Sequence, residues 1–393
     1  MAPTAIAPGD KPALAPVLAP VLAYVVTEDW YFLSHRLPMA RAARAAGYDV
    51  HVITHVNRGG EAIAAEGFKL HPVVWRRGSV HPLGFISNIR AVRAVYRAIN
   101  PALVHNVALQ PTIVGSLAAQ GLPCVRLNAL AGLGFSFTSA TLKARLLRPV
   151  LRMLLRYVLG HPRAAVLVQN PDDRAAVQSL GVAPDKVFVI PGSGVETDQL
   201  VPLPEPEGEA TVAFVGRLLD DKGVRTLVAA HDILTRRGRP VRLLIAGDPD
   251  PANPVSIPPQ EIAAWAKRPG IEVLGHVGDI RDVWKRAHIA VLPSRREGLP
   301  KSLLEAAACG RPIVATDVPG CREIARPGVN ALLVPADDAE ALADAIWRLA
   351  QDADLRSRFG AAGRRLVEEE FSAAHVSRAV VRLYDALIES RPR

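Results

Sequence analysis

A chain of 393 residues exceeds what one hydrophobic core usually serves, so two domains are expected. Hydrophobic residues make up 49% and charged residues 22%, an ordinary globular balance that excludes disordered and fibrous classes. The net charge of +9 is lopsided: residues 1–200 hold 20 Lys+Arg against 11 Asp+Glu, and residues 201–393 hold 27 of each. A basic half beside a neutral half predicts an anionic partner for the first domain.

The first twenty residues, rich in proline and alanine, read as a flexible tail. They lack a basic run ahead of their apolar part, so no secretory signal is expected and the protein is read as cytoplasmic or peripheral. Short apolar runs follow: VLAYVV (21–26), DVHVI (49–53), ALVH (102–105), PCVRL (123–127), AAVLVQ (164–169) and KVFVI (186–190). Helical patterns separate most of them, and strand–helix alternation predicts a parallel sheet covered on both faces. The stretch from Ala98 to Val125 carries no Asp, Glu, Lys or Arg. His105, Asn106, Gln110 and Pro111 interrupt it, however, so it reads as buried strands around a helix rather than as a bilayer span.

Residues 141–163 place Arg145, Arg148, Arg152 and Arg156 at spacings of three, four and four, hence on one helical face. Leu147, Val150, Leu151, Leu154, Leu155, Val158 and Leu159 form a broad apolar side, and Pro149 predicts a kink or break. This pattern suits an anionic membrane surface, the alternative being a packed helix with a solvated basic face. Neither a zinc-finger spacing nor an RNP-like motif occurs, which argues against nucleic acid.

VPLPEPEGE (201–209) breaks the alternation and reads as a linker between domains at 21–200 and 210–371. Strand-like runs then resume: ATVAFVG (210–216), VRLLIAG (241–247), IEVLG (271–275), HIAVLP (288–293), RPIVAT (311–316) and NALLVP (330–335). Two doubly wound domains of this kind would hold a ligand between the carboxyl ends of their strands.

The densest chemistry follows HIAVLP. In SRREGLPKSLLEAAACGRPIVATDVPGCREI (294–324), Pro300 suits the start of a helix and Gly310 its end. Glu297 sits in the loop before that helix and Glu305 near its middle. Backbone N–H groups at a helix start can dock a diphosphate, and a carboxylate can accept both hydroxyls of a ribose. An unpartnered Glu305 among Leu303, Leu304, Ala306, Ala307 and Ala308 would be costly, which favours a binding role. VAFVGRLLDDKGV (212–224) adds Arg217 just after a strand and Lys222 ahead of the next helix.

These segments resemble glycosyltransferase family four, the large retaining family of GT-B fold. Its signature of two glutamates separated by seven residues is matched by Glu297 and Glu305, with flanking GLP, EAxACGxPIVAT and GCRE elements. TEDWYFLSHRLPMARAARAAGYDVHVIT (27–54), PALVHNVALQPTIVGSLAA (101–119) and VFVIPGSGVET (187–197) resemble the branch that builds bacterial surface polysaccharides and lipid-linked oligosaccharides. The resemblance implies an α/β protein of two Rossmann-like domains facing across a cleft, an N-terminal acceptor domain and a C-terminal donor domain. It also implies that a last helix, about 372–393, packs back on the first domain.

By the same resemblance, Arg217 and Lys222 clamp the donor diphosphate together with the backbone of Gly298, Leu299 and Pro300. Glu297 holds the sugar and Glu305 the ribose, and no metal or other cofactor is needed. The implied reaction is hexosyl transfer, with retention, from a UDP-sugar to a polyprenyl-diphosphate-linked glycan. A soluble acceptor, a sugar-nucleotide epimerase and a silent nucleotide-sugar sensor remain alternatives. Two departures stand out. Glu28, Asp29 and Trp30 occupy the region where the family often has a Gly-Gly turn, and His105-Asn106-Val107 replaces a frequent His-x-His pair. The histidine that contacts the transferred sugar is therefore His105, with buried packing as its alternative, or His35. Asp248-Pro249-Asp250 resembles a metal-binding DxD but reads as a turn. Gly132-Leu133-Gly134 reads as a loop over the cleft near the acceptor. Cys124, Cys309 and Cys321 read as free buried thiols.

Overall fold

A computed structural model describes residues 19–75, 82–130, 142–251 and 253–390, without the side chains of residues 82–83 and 142–147. The Gly132–Gly134 loop and most of the N-terminal tail lie outside the described residues.

The chain builds two parallel sheets, as the alternation of apolar runs and helices predicts. The first comprises β1 (Val21–Glu28), β2 (Asp49–His55), β3 (Lys69–Pro72), β4 (Leu103–Val107), β5 (Val125–Leu130), β6 (Ala164–Val168) and β7 (Val187–Val189), in the order β3-β2-β1-β4-β5-β6-β7. The second comprises β8 (Thr211–Val215), β9 (Arg242–Ala246), β10 (Ile271–Gly275), β11 (Ile289–Leu292), β12 (Ile313–Thr316) and β13 (Ala331–Val334), in the order β10-β9-β8-β11-β12-β13. Central strands such as β4, β5, β6, β11 and β12 are buried along their whole length; β6 and β11 therefore read as unbroken apolar runs, whereas β4 carries His105 and Asn106 and β5 carries Arg126 and Asn128 into the core. β3 escaped the sequence reading because it is a short edge strand of sequence KLHP with no buried position.

Residues 201–210 carry no helix or strand. The chain crosses between the two units a second time where Val195 and Ser372 pair, with Ala373 N donating to Val195 O at 2.8 Å. The helix Ala373–Glu389 then buries Val376, Val380, Leu383 and Tyr384 in the core of the first sheet. Tyr384 Oη lies 2.8 Å from Tyr24 Oη, and Tyr48 Oη donates to Asp385 at 2.5 Å.

The helix Leu142–Leu159 runs through Pro149 without a break. Leu155, Val158 and Leu159 are buried against β6, whereas Val150, Met153 and Tyr157 point outward and are more than half exposed. Of the broad apolar side read from the pattern, Val150 thus lies on the outer face and Leu155, Val158 and Leu159 on the packed one. Arg152 and Arg156 are exposed, Arg148 is half-buried, and the Arg145 side chain lies outside the described residues.

Candidate functional site

Each sheet reverses its strand order once, between β1 and β4 and between β8 and β11, and crevices open at such switch points. The two crevices share one cavity of about 460 Å³. Glu28, Trp30, Tyr31, His35 and Ala108 line it from the first unit; Arg217, Lys222, Glu297, Leu299, Pro300 and Lys301 line it from the second. A larger groove of about 730 Å³ beside β13, walled by Leu332, Leu333 and Phe359, holds none of the site residues expected from sequence.

The second wall is assembled from two loops. Beyond β8 the chain turns through Gly216 to Arg217, and a short 3-10 turn, Asp220–Lys222, delivers Lys222. Gly223 follows at φ 70, and a Cβ there would fall 1.9 Å from the Pro293 carbonyl oxygen, so only glycine allows this approach. Beyond β11 comes the glutamate loop. Lys222 Nζ lies 2.6 Å from Glu297 Oε1, which also accepts from Ser294 Oγ at 2.6 Å. The Gly320 Cα packs under that loop so closely that a Cβ would come within 2.5 Å of the Glu297 and Gly298 carbonyl oxygens.

The loop is also tied to the first unit. Asn170 caps the helix Pro171–Gln178 through its Oδ1 while its Nδ2 donates to Gly298 O at 2.7 Å. Buried Asp173 accepts from Arg296 at 3.0 Å.

The helix Lys301–Ala308 starts at the cavity; Leu303 N and Leu304 N donate to Pro300 O at 3.1 and 3.3 Å, which leaves the Lys301 and Ser302 N–H groups without an acceptor within the helix. Pro300, just before it, has no N–H, so of the expected backbone donors only Gly298 and Leu299 can serve. Glu305 is not in the cavity lining; it sits one turn along, its carboxylate 3.5 Å from Lys301 Nζ. Burial pushes the Glu305 carboxyl up, and Lys301 only partly offsets that. Arg217 is half exposed and donates to Asp250 at 2.9 Å. Asp250, from the Asp-Pro-Asp turn, thus balances this arginine, and among the described residues no group of three or more His, Cys, Asp or Glu is arranged to hold a metal.

His105 is not brought to the cavity. It is fully buried on β4, stacked on Tyr24 at 5.0 Å, with Nδ1 2.6 Å from Tyr384 Oη. Side chains alternate along a strand, and this one faces the helix Ala373–Glu389, so a part for His105 in the cleft chemistry is corrected to a packing role. The histidine of the cavity is His35. Its ring stacks on Tyr31 at 4.3 Å, and Nδ1 lies 2.6 Å from Ser34 Oγ. Burial first, then the charges of Lys301 and Arg36, push its pKa down to about 3, so the ring is neutral.

Sequence reasoning missed Ala108, the residue after β4. It holds φ 73 at the cavity wall, a conformation costing a non-glycine residue on the order of 1–3 kcal/mol. No local signal announced it. Lys301 was also missed; it reaches across the cavity to donate to Ser34 O at 2.9 Å.

Two Rossmann-like units with a cationic wall on the second and a polar, aromatic wall on the first define a GT-B transferase architecture. Residues 21–163 match the family described as Glycosyl transferase 4-like, and residues 209–352 match Glycosyl transferases group 1. The chain belongs to the group 1 glycosyltransferases of GT-B fold, and it is a glycosyltransferase.

Among its relatives is the N,N'-diacetylbacillosaminyl-diphospho-undecaprenol alpha-1,3-N-acetylgalactosaminyltransferase of Campylobacter jejuni, 25% identical over 91% of this chain and 99% of the relative. The capsular polysaccharide biosynthesis glycosyltransferase CapM of Staphylococcus aureus is 28% identical over 45% of this chain, which spans only 46% of CapM. In fold the chain is similar to sucrose-phosphate synthase from Thermosynechococcus elongatus, with TM-score 0.79 and 21% identity over 94% of this chain and all of that one. Anabaena Alr3699/HepE, solved with UDP-glucose, gives TM-score 0.74 and 16% identity over 93% of this chain and 99% of that one.

Proposed function

We propose that this glycosyltransferase moves a sugar, with retention, from a UDP-sugar to a polyprenyl-diphosphate-linked glycan at an anionic membrane surface. The observation that carries the reading is the cationic wall at a helix start: Arg217, Lys222, Leu299 and the start of the helix Lys301–Ala308 line one cavity, where a diphosphate would sit. Charge-assisted hydrogen bonds from two cations to a leaving diphosphate are worth about 1.5–3 kcal/mol each. Their work is electrostatic, because negative charge grows on the diphosphate as the glycosidic bond breaks. Glu297, anchored by Lys222 and Ser294, is set to take hydroxyls of the transferred sugar, and Glu305, one turn deeper, to take those of the ribose. Neutral His35 offers the sugar a ring nitrogen without adding charge.

The lipid-linked acceptor is supported by the Campylobacter jejuni relative, which is named for an undecaprenyl-diphosphate-linked acceptor. Membrane contact is supported by the helix Leu142–Leu159, where exposed Val150, Met153 and Tyr157 lie beside exposed Arg152 and Arg156. Among the described residues no helix is long and apolar enough to cross a membrane, so contact would be peripheral. The test is UDP release from a panel of UDP-sugars with and without a polyprenyl-diphosphate-linked glycan. Acceptor-dependent release is expected, and its absence across the panel would overturn the reading.

A further inference from the structure

We propose that the Glu28-Asp29-Trp30 turn is the subsite that grips a pyranose ring of the acceptor glycan, with Trp30 and Glu28 as its specificity-determining residues. The inference rests on the donor reading of the opposite wall and goes beyond it. Glu28 ends β1, whose register with β2 shifts between Val25 and Glu28; such irregularities re-aim side chains. Glu28, 8% exposed, is part of the cavity lining, and Asn57 Nδ2 donates to its Oε2 at 2.8 Å.

Asn57 is itself held. Asp29, fully buried, accepts through Oδ2 from the backbone N–H groups of Asn57 and Gly59, each at 2.7 Å, and through Oδ1 from Trp30 N at 2.7 Å. Burial alone would push the Asp29 carboxyl up, but the Gly59, Asn57 and Trp30 N–H groups together hold it below the usual carboxylate range. Asp29 thus fixes, through three backbone N–H groups, the loop that presents Asn57 to Glu28. A carboxylate supported by such a chain of hydrogen bonds is preorganised.

Beside it, Trp30 is 44% exposed and meets Tyr31 edge to face at 5.8 Å, while Tyr31 stacks on His35. An exposed indole next to a fixed carboxylate matches the two faces of a pyranose: its C–H face packs on the ring, and its hydroxyls donate to the carboxylate, which has lone pairs for more than one donor. The same carboxylate repels a phosphate. The two walls therefore divide the labour by charge, with Arg217, Lys222 and Lys301 facing the diphosphate and Glu28 with Trp30 facing a neutral sugar.

The experiment is calorimetry and saturation-transfer NMR on the UDP-loaded full chain, with a panel of methyl α-hexopyranosides and methyl N-acetyl-α-hexosaminides. At least one glycoside is expected to bind, and W30A and E28Q are each expected to weaken it at least tenfold. W30F should recover most of the loss, and UDP affinity in all three variants should stay within twofold of the native value. Melting curves verify that each variant folds. Glycoside affinity unchanged in both W30A and E28Q overturns the subsite, as does the absence of binding by any glycoside to a protein that binds UDP. Failure of the native chain to bind UDP would instead sink the donor reading, and the inference with it.

Discussion

Lys222 Nζ and Glu297 Oε1, 75 positions apart in the chain, lie 2.6 Å from each other on the second wall of the cavity. The Glu297 side chain is only 9% exposed, so this pair fixes the glutamate loop as well as furnishing a cation. K222A is therefore expected to do two things. It should weaken UDP binding roughly 10- to 100-fold, the equivalent of about 1.5–3 kcal/mol, and lower the melting temperature by leaving a buried carboxylate without its cation. In K222A/E297Q the melting temperature should recover while UDP affinity does not. Calorimetry and melting curves separate the two effects; recovery of both together would contradict the clamp.

Behind this pair, Asp221 Oδ1 is buried without a hydrogen-bond partner. Burial first, together with Glu297, pushes its carboxyl up despite Lys222. A carboxyl raised in the folded state costs stability when ionised, so stability should rise as pH falls through its folded pKa towards the unfolded value. D221N removes the cost and should stabilise the protein by about 1 kcal/mol at pH 8, with the gain shrinking as the buffer is made acidic. Denaturation at several pH values checks the sign.

His35 provides the opposite linkage. Its folded pKa of about 3 means the unfolded chain takes up a proton near pH 6.5 that the folded chain refuses. Its contribution is fully present above pH 6.5 and is lost as pH falls towards 3. H35Q should flatten this part of the stability–pH curve and, if the cleft reading holds, lower turnover without reshaping the rate profile between pH 6 and 8. A rate profile that loses an ionisation in H35Q would contradict a neutral ring.

The second wall of the cavity was legible because its parts lie in two contiguous segments, 212–224 and 293–324, each spanning a strand end, a loop and a helix start. The first wall was harder to read. Glu28 and Trp30 stand out only as a departure from a pattern and His35 only as one of two candidate histidines, and their meaning depends on what faces them across the cavity. His105 misled because a histidine on an apolar strand gives no sign of which face it occupies; the deciding partner, Tyr384, lies 279 positions away. The parallel sheets followed from short, mostly apolar runs alternating with helical patterns, whereas β3, short and at an edge, left no such trace.

The membrane reading predicts flotation with anionic but not neutral liposomes at low salt. Each arginine near such a surface contributes on the order of 1 kcal/mol, so R152E/R156E should release the protein, as should raised ionic strength. M153E/Y157E should weaken binding at every salt concentration, because those side chains are expected to enter the interface. Equal flotation with neutral vesicles, or none lost in a folded R152E/R156E, would contradict it.

Arg217 and Lys222 are expected to hold the leaving diphosphate during sugar transfer without a metal. The most direct measurement is transfer from a radiolabelled UDP-sugar to a polyprenyl-diphosphate-linked glycan in excess EDTA, comparing the native chain with R217A and K222A. Transfer is expected to persist in EDTA and to fall about 10- to 100-fold in each variant, following the loss of one charged hydrogen bond. Activity abolished by the chelator and restored by manganese, with R217A and K222A as active as the native chain, would contradict the account and return attention to Asp248 and Asp250.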